Sequence, residues 1–198
     1  MASQTSPQSF SPVLNMATGT GPAATGGYLY MAGVYGVNPN PSYAVLQRVT
    51  EDGTSGVSTL ANLGLAAQYA LSGPLVVTGT RVYVLGANIG SNITGLISVP
   101  LPNGVGNSAP PFLAGTTMSS NNWIATWGDD TAIYFANTAE QWVTCPSSGC
   151  TGTPTVMSDA STALHYLVGD DQAIYWINTR SDSTTGFTVG FSVMKLAR

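Results

Sequence analysis

The chain is 198 residues long, enough for one sizeable domain. Charged residues make up only 7% of it, and five basic residues against nine acidic ones give a net charge of −4 at pH 7. This balance excludes the basic stripe with which proteins track nucleic-acid phosphates. No run of about 18 apolar residues occurs, so the sequence also predicts no membrane insertion. Solubility must come from neutral polar residues, which suit the outer faces of secreted β proteins.

Short β-type runs follow one another along the chain in four copies of one pattern. Two copies contain nearly the same phrase, Gly-Asp-Asp-Thr-Ala-Ile-Tyr at 128–134 and Gly-Asp-Asp-Gln-Ala-Ile-Tyr at 169–175. In each copy a run centred on a tyrosine is preceded by one strand-like run and followed by one or two more. In chain order the runs are 21–25, 28–31, 45–49 and 57–60; 74–77, 81–84, 96–99 and 110–113; 122–127, 132–135, 142–145 and 154–157; and 164–168, 173–176 and 193–196.

A repeat of this length made of strands predicts an all-β fold, a single-domain four-bladed β-propeller with four-stranded blades. The blades are expected at roughly 19–64, 65–117, 118–160 and 161–198. The last copy ends before a fourth run, and a matching run, Pro12–Met16, stands at the beginning of the chain. We therefore predict that residues 8–18 close the last blade, which leaves no open sheet edge.

The two cysteines indicate whether the protein lies in an oxidising or a reducing compartment. Cys145 and Cys150 enclose Pro-Ser-Ser-Gly, a tight turn that a disulfide can close in an oxidising compartment. The alternative is a reduced pair in a surface loop. The first residues lack the basic and apolar regions of a signal peptide, so the chain is either cytosolic or a mature segment that begins with an added Met. The cysteine pair favours the second alternative, and hence an extracellular or cell-surface location.

Two segments of the second half resemble a propeller repeat of bacterial surface proteins. They are GDDTAIYFAN at 128–137 and WVTCPSSGCTGTPTVM at 142–157, and residues 174–178 and 193–197 match the same template. The repeat is of the myxobacterial type, common in secreted proteins and lipoproteins, and similar in style to YWTD and NHL repeats. The resemblance implies an extracellular recognition or scaffolding module and no particular reaction. Because such proteins usually have more than four blades, it leaves open a compact four-bladed ring or a half-ring that pairs with a second chain.

Residues suited to catalysis or metal binding are few. The one histidine, His165, lies in a predicted innermost strand, where it either contacts a ligand or is a structural residue. Asp129 and Asp170 occupy equivalent places in two copies, and Ca²⁺ is the ion that such oxygen ligands would take. The other two copies have no carboxylate there, and turn chemistry accounts for aspartate at both positions. We expect no enzymatic activity and no cofactor other than that candidate Ca²⁺.

Aromatic residues are the other candidates for ligand contact, because aromatic faces among neutral polar groups are typical of sugar-binding surfaces. Four tyrosines recur at equivalent strand positions and are expected to pack between blades: Tyr30, Tyr83, Tyr134 and Tyr175. The residues predicted to contact a ligand are Tyr35, Tyr43, Trp123, Trp142 and His165.

Two hypotheses of function follow. The first is a non-enzymatic binding or scaffolding propeller, lectin-like in type, which recognises a protein or a glycan through the variable segments 33–44, 86–95 and 179–190. The second is a structural subunit of a homo-oligomeric assembly in which blades or loops pair between chains. The chain is accordingly expected to be a monomer or a homodimer. A lectin would be competed by free sugar, whereas an assembly subunit would elute as an oligomer and ignore sugar.

Overall fold

A computed structural model describes residues 23–35, 43–65, 69–91, 93–105, 112–113, 116, 118–119, 126–137, 141–158, 164–181, 184–185 and 188–198. These residues form fifteen β-strands in four antiparallel sheets. None of the described ranges holds a helix with the length and hydropathy of a membrane span. The predicted all-β class is confirmed.

The sheets follow the order of the chain, and within each sheet neighbouring strands are consecutive in sequence. The first sheet contains β1 (Ala23–Thr25), β2 (Tyr28–Tyr35), β3 (Tyr43–Thr50) and β4 (Ser58–Leu65). The second contains β5 (Tyr69–Val77), β6 (Arg81–Asn88), β7 (Ile93–Pro100) and β8 (Met118–Ser119). The third contains β9 (Thr126–Gly128), β10 (Ala132–Ala136), β11 (Trp142–Pro146) and β12 (Thr155–Val156). The fourth contains β13 (Leu164–Gly169), β14 (Ala173–Ser181) and β15 (Thr188–Ala197).

The four predicted tyrosine runs are the second strands of the four sheets, and each pairs with the next predicted run as a hairpin. One outer strand differs from expectation. In the second sheet the described part of the predicted run at 110–113, residues 112–113, forms a bridge between Phe112 and Ile97, and the outer strand is instead Met118–Ser119. The predicted closing segment, residues 8–18, lies outside the described residues, as does the run Pro12–Met16 within it.

One hydrogen bond recurs at the same place in all four sheets, as the next rung of the ladder between the second and third strands. The residue after the third strand donates its N–H to a carbonyl of the turn that joins the first two strands, at 2.7–3.1 Å. The four donor–acceptor pairs are Glu51–Gly27, Leu101–Thr80, Ser147–Thr131 and Arg198–Gln172. Even the first copy, the most divergent in sequence, keeps this bond.

Successive residues of a strand point to opposite faces of the sheet, and the inner sheets bury both faces. In β6, Val82 and Val84 pack on the first sheet, whereas Tyr83 and Leu85 pack on the third. Three apolar clusters result, one between each pair of successive sheets. The tyrosines of the second strands fill these clusters in the first three sheets: Tyr30, Tyr83 and Tyr134 are buried.

The far face of the fourth sheet, the face turned away from the third sheet, is exposed where the faces of the inner sheets are buried. Ile174 and Trp176 pack on the third sheet, but Phe191 and Val193 on the opposite face are 75% and 70% exposed. The innermost strands adjoin in series, β1 with β5, β5 with β9 and β9 with β13. Within the described ranges, β13 and β1 share no packing of that extent. The described sheets thus form an open series.

Gly104, which follows β7, lies in close contact with β4 of the first sheet, so a substitution at Gly104 tests the packing of these two sheets. It has a φ of +64°, and a Cβ placed there would overlap the Leu60 carbonyl of β4, which accepts a hydrogen bond of 2.7 Å from the Val105 N–H. We expect Gly104→Ala to lower the free energy of unfolding by about 2 kcal/mol or more, because backbone strain and overlap add. Urea denaturation measures the change.

The matched control is Gly152→Ala, since no atom lies within 4 Å of a Cβ at that position. That variant should stay within about 0.5 kcal/mol of the wild type. Equal stability of the two variants would contradict the close contact between the two sheets at Gly104.

Candidate functional site

The strands define two ends of the molecule. The loop end carries the connections between the second and third strands of the sheets, at 36–42, 89–92, 137–141 and 182–187. The turn end, opposite to it, carries the short turns between the first and second strands, at 26–27, 78–80, 129–131 and 170–172. All three segments predicted to vary and bind, 33–44, 86–95 and 179–190, contain one of the connections at the loop end.

Three of the residues predicted to contact a ligand lie on strand segments at the loop end. Tyr35 and Tyr43 are cross-strand partners at the last rung of the β2–β3 ladder, and the Tyr43 side chain is half-buried. His165 lies near the start of β13 and pairs with Ile177 of β14. The side chains of Tyr35 and His165, and the whole of Trp123, lie outside the described residues.

Trp142 is at the same end but is fully buried. Its ring meets that of Trp176 edge-on, with centroids 6.2 Å apart, in the cluster between the third and fourth sheets. It therefore offers no surface to a ligand and serves packing. The prediction that Trp142 contacts a ligand is wrong because the third sheet is covered on both faces. Trp142 and Val143, successive residues of β11, are therefore both buried.

Aliphatic residues at the loop end were not predicted from the sequence, where the candidates for ligand contact were four tyrosines and tryptophans and His165. Ile89 is 58% exposed in the β6–β7 connection, and Ile93 and Leu65 are exposed at the adjacent strand ends. Leu65 pairs with Tyr43 across β4 and β3, so it extends the rung that contains both tyrosines. A signal was present in the sequence: Ile89 and Ile93 flank Gly-Ser-Asn, a turn that projects its neighbours into solvent.

Charge is segregated to the opposite end. Each charged side chain that the structure describes lies in a turn-end connection or within two residues of a strand's turn end. These residues are Arg48, Glu51, Asp52, Arg81, Asp129, Asp130, Asp170, Asp171, Lys195 and Arg198. Arg180 lies in β14 near the loop end, but its side chain is not among those described; the described residues of the β6–β7 connection, 89–91, are uncharged.

Asp129 is anchored in the turn of the third sheet. Its Oδ1 accepts hydrogen bonds from the N–H groups of Thr131 and Ala132, at 2.8 and 2.9 Å, and from the Thr131 hydroxyl at 2.7 Å. Its Oδ2 forms a salt bridge with Arg198 of the fourth sheet. Partial burial raises the pKa of Asp129, but the hydrogen bonds from Thr131, Ala132 and Arg198 outweigh it and lower the pKa to about 2.

The Arg198 guanidinium has further partners besides Asp129. Its Nε donates to the Tyr134 hydroxyl at 3.1 Å and its Nη1 to the Asp170 carbonyl at 2.8 Å, while the group lies 5.0 Å from the centre of the Trp127 ring. These contacts join the third and fourth sheets at the turn end. Ser147 occupies the position in the third sheet that Arg198 occupies in the fourth. It also contacts the preceding sheet, because the Tyr83 hydroxyl donates a hydrogen bond to the Ser147 carbonyl at 3.1 Å.

Asp170 has the same role in its own turn. Its Oδ1 accepts from the N–H groups of Gln172 and Ala173, each at 2.8 Å, and its Oδ2 accepts from the Tyr175 hydroxyl at 3.3 Å. Both candidate metal ligands thus act as turn acceptors. Among the described residues no group of three or more His, Cys, Asp or Glu side chains is placed to hold a metal ion. The Ca²⁺ site stays a sequence prediction.

The predicted disulfide between Cys145 and Cys150 is present. Both cysteines are buried in the cluster between the second and third sheets, where they pack with Leu113 and Phe135. The crosslink thus closes the turn after β11 and also fills the interface with the neighbouring sheet.

These features define the chain as an all-β protein whose described residues form three four-stranded antiparallel sheets and one three-stranded sheet, packed in series. No protein-family model and no curated protein matches it. It is similar to a solved structure described as the crystal structure of BamB from Moraxella catarrhalis, at 17% identity with a TM-score of 0.43. The match covers 79% of this chain and 39% of that chain, so this chain spans about two fifths of the length of the protein it matches. A likeness of that size does not define the fold, which rests on the sheets themselves.

The Asp129–Arg198 contact predicts a pH dependence of stability. The pKa of Asp129 in the folded protein, about 2, lies below the ordinary aspartate value of 3.8, so its stabilisation is complete above about pH 4 and is lost as the pH falls to about 2. Asp129→Asn should lower the thermal midpoint at pH 7 by about 2–4 °C and reduce the loss of stability over that acid window. Thermal unfolding followed by circular dichroism from pH 2 to pH 7 measures both effects.

Asp171→Asn is the matched control, since Asp171 is the exposed second aspartate of the equivalent turn in the fourth sheet. It should leave the pH profile nearly parallel to that of the wild type. If Asp129→Asn leaves the profile equally unchanged, the salt bridge does not stabilise the folded state.

Proposed function

We propose that the chain is a non-enzymatic binding module that takes a protein partner at its loop end. The observation that supports this proposal is the exposure of aliphatic side chains, Ile89, Ile93 and Leu65, at the loop end, with no charged residue in the described part of the β6–β7 connection that carries Ile89. Exposed apolar groups without charges among them are typical of surfaces that other proteins cover. The loops of neighbouring sheets contribute to this end together, so one partner can contact several of them.

A protein is favoured over a glycan by what is exposed there. Stacking of a sugar needs an accessible aromatic face. Of the predicted ligand residues with a described side chain, Trp142 is buried and Tyr43 is half-buried. The exposed groups are aliphatic, and aliphatic groups suit the apolar centre of a protein interface.

The chemistry of the described carboxylates supports a non-enzymatic role. A general acid works best when its pKa is raised towards the working pH. Hydrogen bonds instead lower the pKa of Asp52, Asp129, Asp130 and Asp170. These groups are held as turn acceptors in the ionised form, at the end opposite to the exposed aliphatic residues.

We place these sheets in a β-propeller, as blades of the bacterial surface type that the sequence resembles. In this architecture residues 12–16 supply the fourth strand beside β15. The spacing supports this placement, because six residues separate residue 16 from β1. The outer strands β8 and β12 are likewise followed by connections of six and seven residues, 120–125 and 157–163. An extracellular or cell-surface location accords with the disulfide, which persists in oxidising compartments.

A photo-crosslinking amino acid at position 89 tests the loop end. We expect p-benzoylphenylalanine in place of Ile89 to give one or a few protein adducts when the variant is expressed in the cells that make the protein, because the side chain lies where the partner binds. Mass spectrometry of the adducts identifies the partner. Ile93→Asp in the same chain should lower the adduct yield about tenfold, the effect of about 1.4 kcal/mol.

The matched control carries the same crosslinker at Val57, which is 51% exposed in the connection between β3 and β4 at the turn end. Position 57 should give no adduct in common with position 89. Absence of protein adducts at 89, or the same adducts at both positions, would exclude the loop end as the binding surface, and suppression by free sugar would point to a glycan.

A further inference from the structure

The outer edge of β15 carries backbone groups with which no described strand pairs. β15 is the last described strand of its sheet and lies beside β14. The Arg198 N–H donates to the Gln172 carbonyl, on the β14 side. Because alternate residues of an antiparallel strand bond to the same neighbour, the even-numbered residues of β15 face β14. The N–H and C=O of Val193 therefore face the outer edge, where a fourth strand would pair with them.

The second and third sheets show how the equivalent edge is filled. Leu96 and Trp142 stand at the repeat position of Val193, five residues before the donor of the hydrogen bond that recurs in all four sheets. The Leu96 carbonyl accepts from the Leu113 N–H at 2.6 Å, and the Trp142 carbonyl accepts from the Met157 N–H at 2.8 Å. In both sheets an outer segment thus gives one backbone N–H to the carbonyl at this position.

A hydroxyl group of the same outer segment accepts the N–H at this position. The Leu96 N–H donates to the Thr116 Oγ1 at 3.1 Å, and the Trp142 N–H donates to the Ser158 Oγ at 3.2 Å. In the second sheet the Thr116 hydroxyl also donates to the Leu113 carbonyl at 2.7 Å, which fixes its orientation. One residue of the third strand is therefore held twice, through its carbonyl and through its N–H.

The outer segments of these two sheets also share one pairing register. Phe112 forms its bridge with Ile97, and Val156 pairs with Val143. Ile97 and Val143 each directly follow the residue that is held twice, and Met194 is the residue of the fourth sheet at that position. Met194 is 37% exposed, so an apolar partner opposite it would remove apolar surface from water.

Residues 12–18, here named the proline segment, resemble the outer segment of the second sheet, residues 110–116. They read Pro-Val-Leu-Asn-Met-Ala-Thr against Pro-Pro-Phe-Leu-Ala-Gly-Thr, with the first proline, an apolar third residue and the final threonine in common. The third sheet keeps the proline and the apolar third residue, as Pro154 and Val156. Proline suits the start of an outer strand because it has no N–H to give to a ladder. The sequence thus selects the proline segment as the occupant of the β15 edge.

The chain between the proline segment and β1 is long enough for this placement. Eight residue steps lead from 15 to Ala23, an extended reach of about 26 Å. Crossing the width of a four-stranded sheet takes about 14 Å, and moving to a neighbouring sheet takes about 10 Å more. The proline segment can therefore lie beside β15 while β1 belongs to the adjacent blade of a propeller.

We propose that the proline segment holds β15 at Val193, with Asn15 donating its N–H to the Val193 carbonyl and Thr18 accepting from the Val193 N–H. Leu14 then lies opposite Met194 and covers it. The inference rests on the placement beside β15 proposed above, and it adds the register of the pairing and the hydroxyl group that fixes it.

A disulfide across the proposed pair tests the register. The full chain with Leu14→Cys and Met194→Cys, treated with a mild oxidant, should form a disulfide within one chain. The reason is that residues opposite each other in a non-hydrogen-bonded pair of an antiparallel ladder have Cα atoms about 4.5 Å apart, within the range that a disulfide spans. Mass spectrometry of a non-reduced digest identifies the linked peptides, and non-reducing electrophoresis shows whether the link lies within one chain.

The matched controls combine Leu14→Cys with Ser192→Cys or with Leu196→Cys, the pairs expected if the register were shifted by two residues. Each should give about tenfold less disulfide than the pair with Met194→Cys, because register places those residues diagonally and farther apart. A higher yield from either control, a low yield from all three pairs, or a disulfide that joins two chains would overturn the proposal.

Hydrogen exchange of the Val193 amide, followed by NMR, tests the hydroxyl group. Thr18→Val should speed this exchange about tenfold or more because the acceptor is lost, whereas Thr18→Ser keeps the hydroxyl and should keep the protection. Thr20→Val, two residues further on, is the control and should change nothing. Equal exchange in the wild type and in Thr18→Val would overturn the role of Thr18.

These outcomes separate the inference from the proposals on which the preceding subsection rests. A disulfide in a shifted register removes the proposed pairing but keeps the strand beside β15, whereas absence of all three disulfides removes both. Adduct formation from position 89 is a separate readout of the loop end and is unaffected by either result.

Discussion

The structure depends on the need of each sheet to cover two apolar faces. Alternate residues of a strand point to opposite sides, and in β6 and β10 both sets are apolar, so neither sheet can be stable with one side in water. The chain meets this need by packing the sheets in series, with a tyrosine from each of the first three sheets in the interface that follows. This constraint also explains the composition, because strands buried on two sides leave few positions for charges.

The few charges act locally at the turn end. Asp129 and Asp170 satisfy the N–H groups of their own turns, and Arg198 joins the fourth sheet to the third through a salt bridge with Asp129 and a hydrogen bond to the Tyr134 hydroxyl. Asp130 does the same for the preceding pair, since its Oδ1 accepts from the Thr80 hydroxyl at 3.0 Å. These charged groups thus stabilise turns and sheet contacts at the turn end.

Periodicity in the sequence was sufficient to predict most of the strands, because alternating apolar runs and Gly-Asp-Asp turns are local features, but it missed the outer strand β8. Three of the four tyrosines were placed correctly, with Tyr30, Tyr83 and Tyr134 buried, whereas Tyr175 is half-buried on the far face of the fourth sheet, against which no described sheet packs. Trp142 shows where local reasoning ends: a residue that departs from the repeat was assigned to the surface, but burial is decided by the neighbouring sheet, which no pattern within β11 reveals. Arg198 was missed for the same reason, since its partners Asp129 and Tyr134 are distant in sequence and meet it only through sheet packing.

Every apolar cluster joins sheets that are neighbours in the sequence, and this has a consequence for how the chain acquires its structure. Contacts between adjacent segments cost little loop-closure entropy, so each sheet can form on the one synthesised before it. Stability in such a series is close to a sum of nearest-neighbour terms, as in repeat proteins. The second and third sheets, each held on both sides, should therefore open last, and the first and fourth sheets, each with one described neighbour, should exchange their amide hydrogens first.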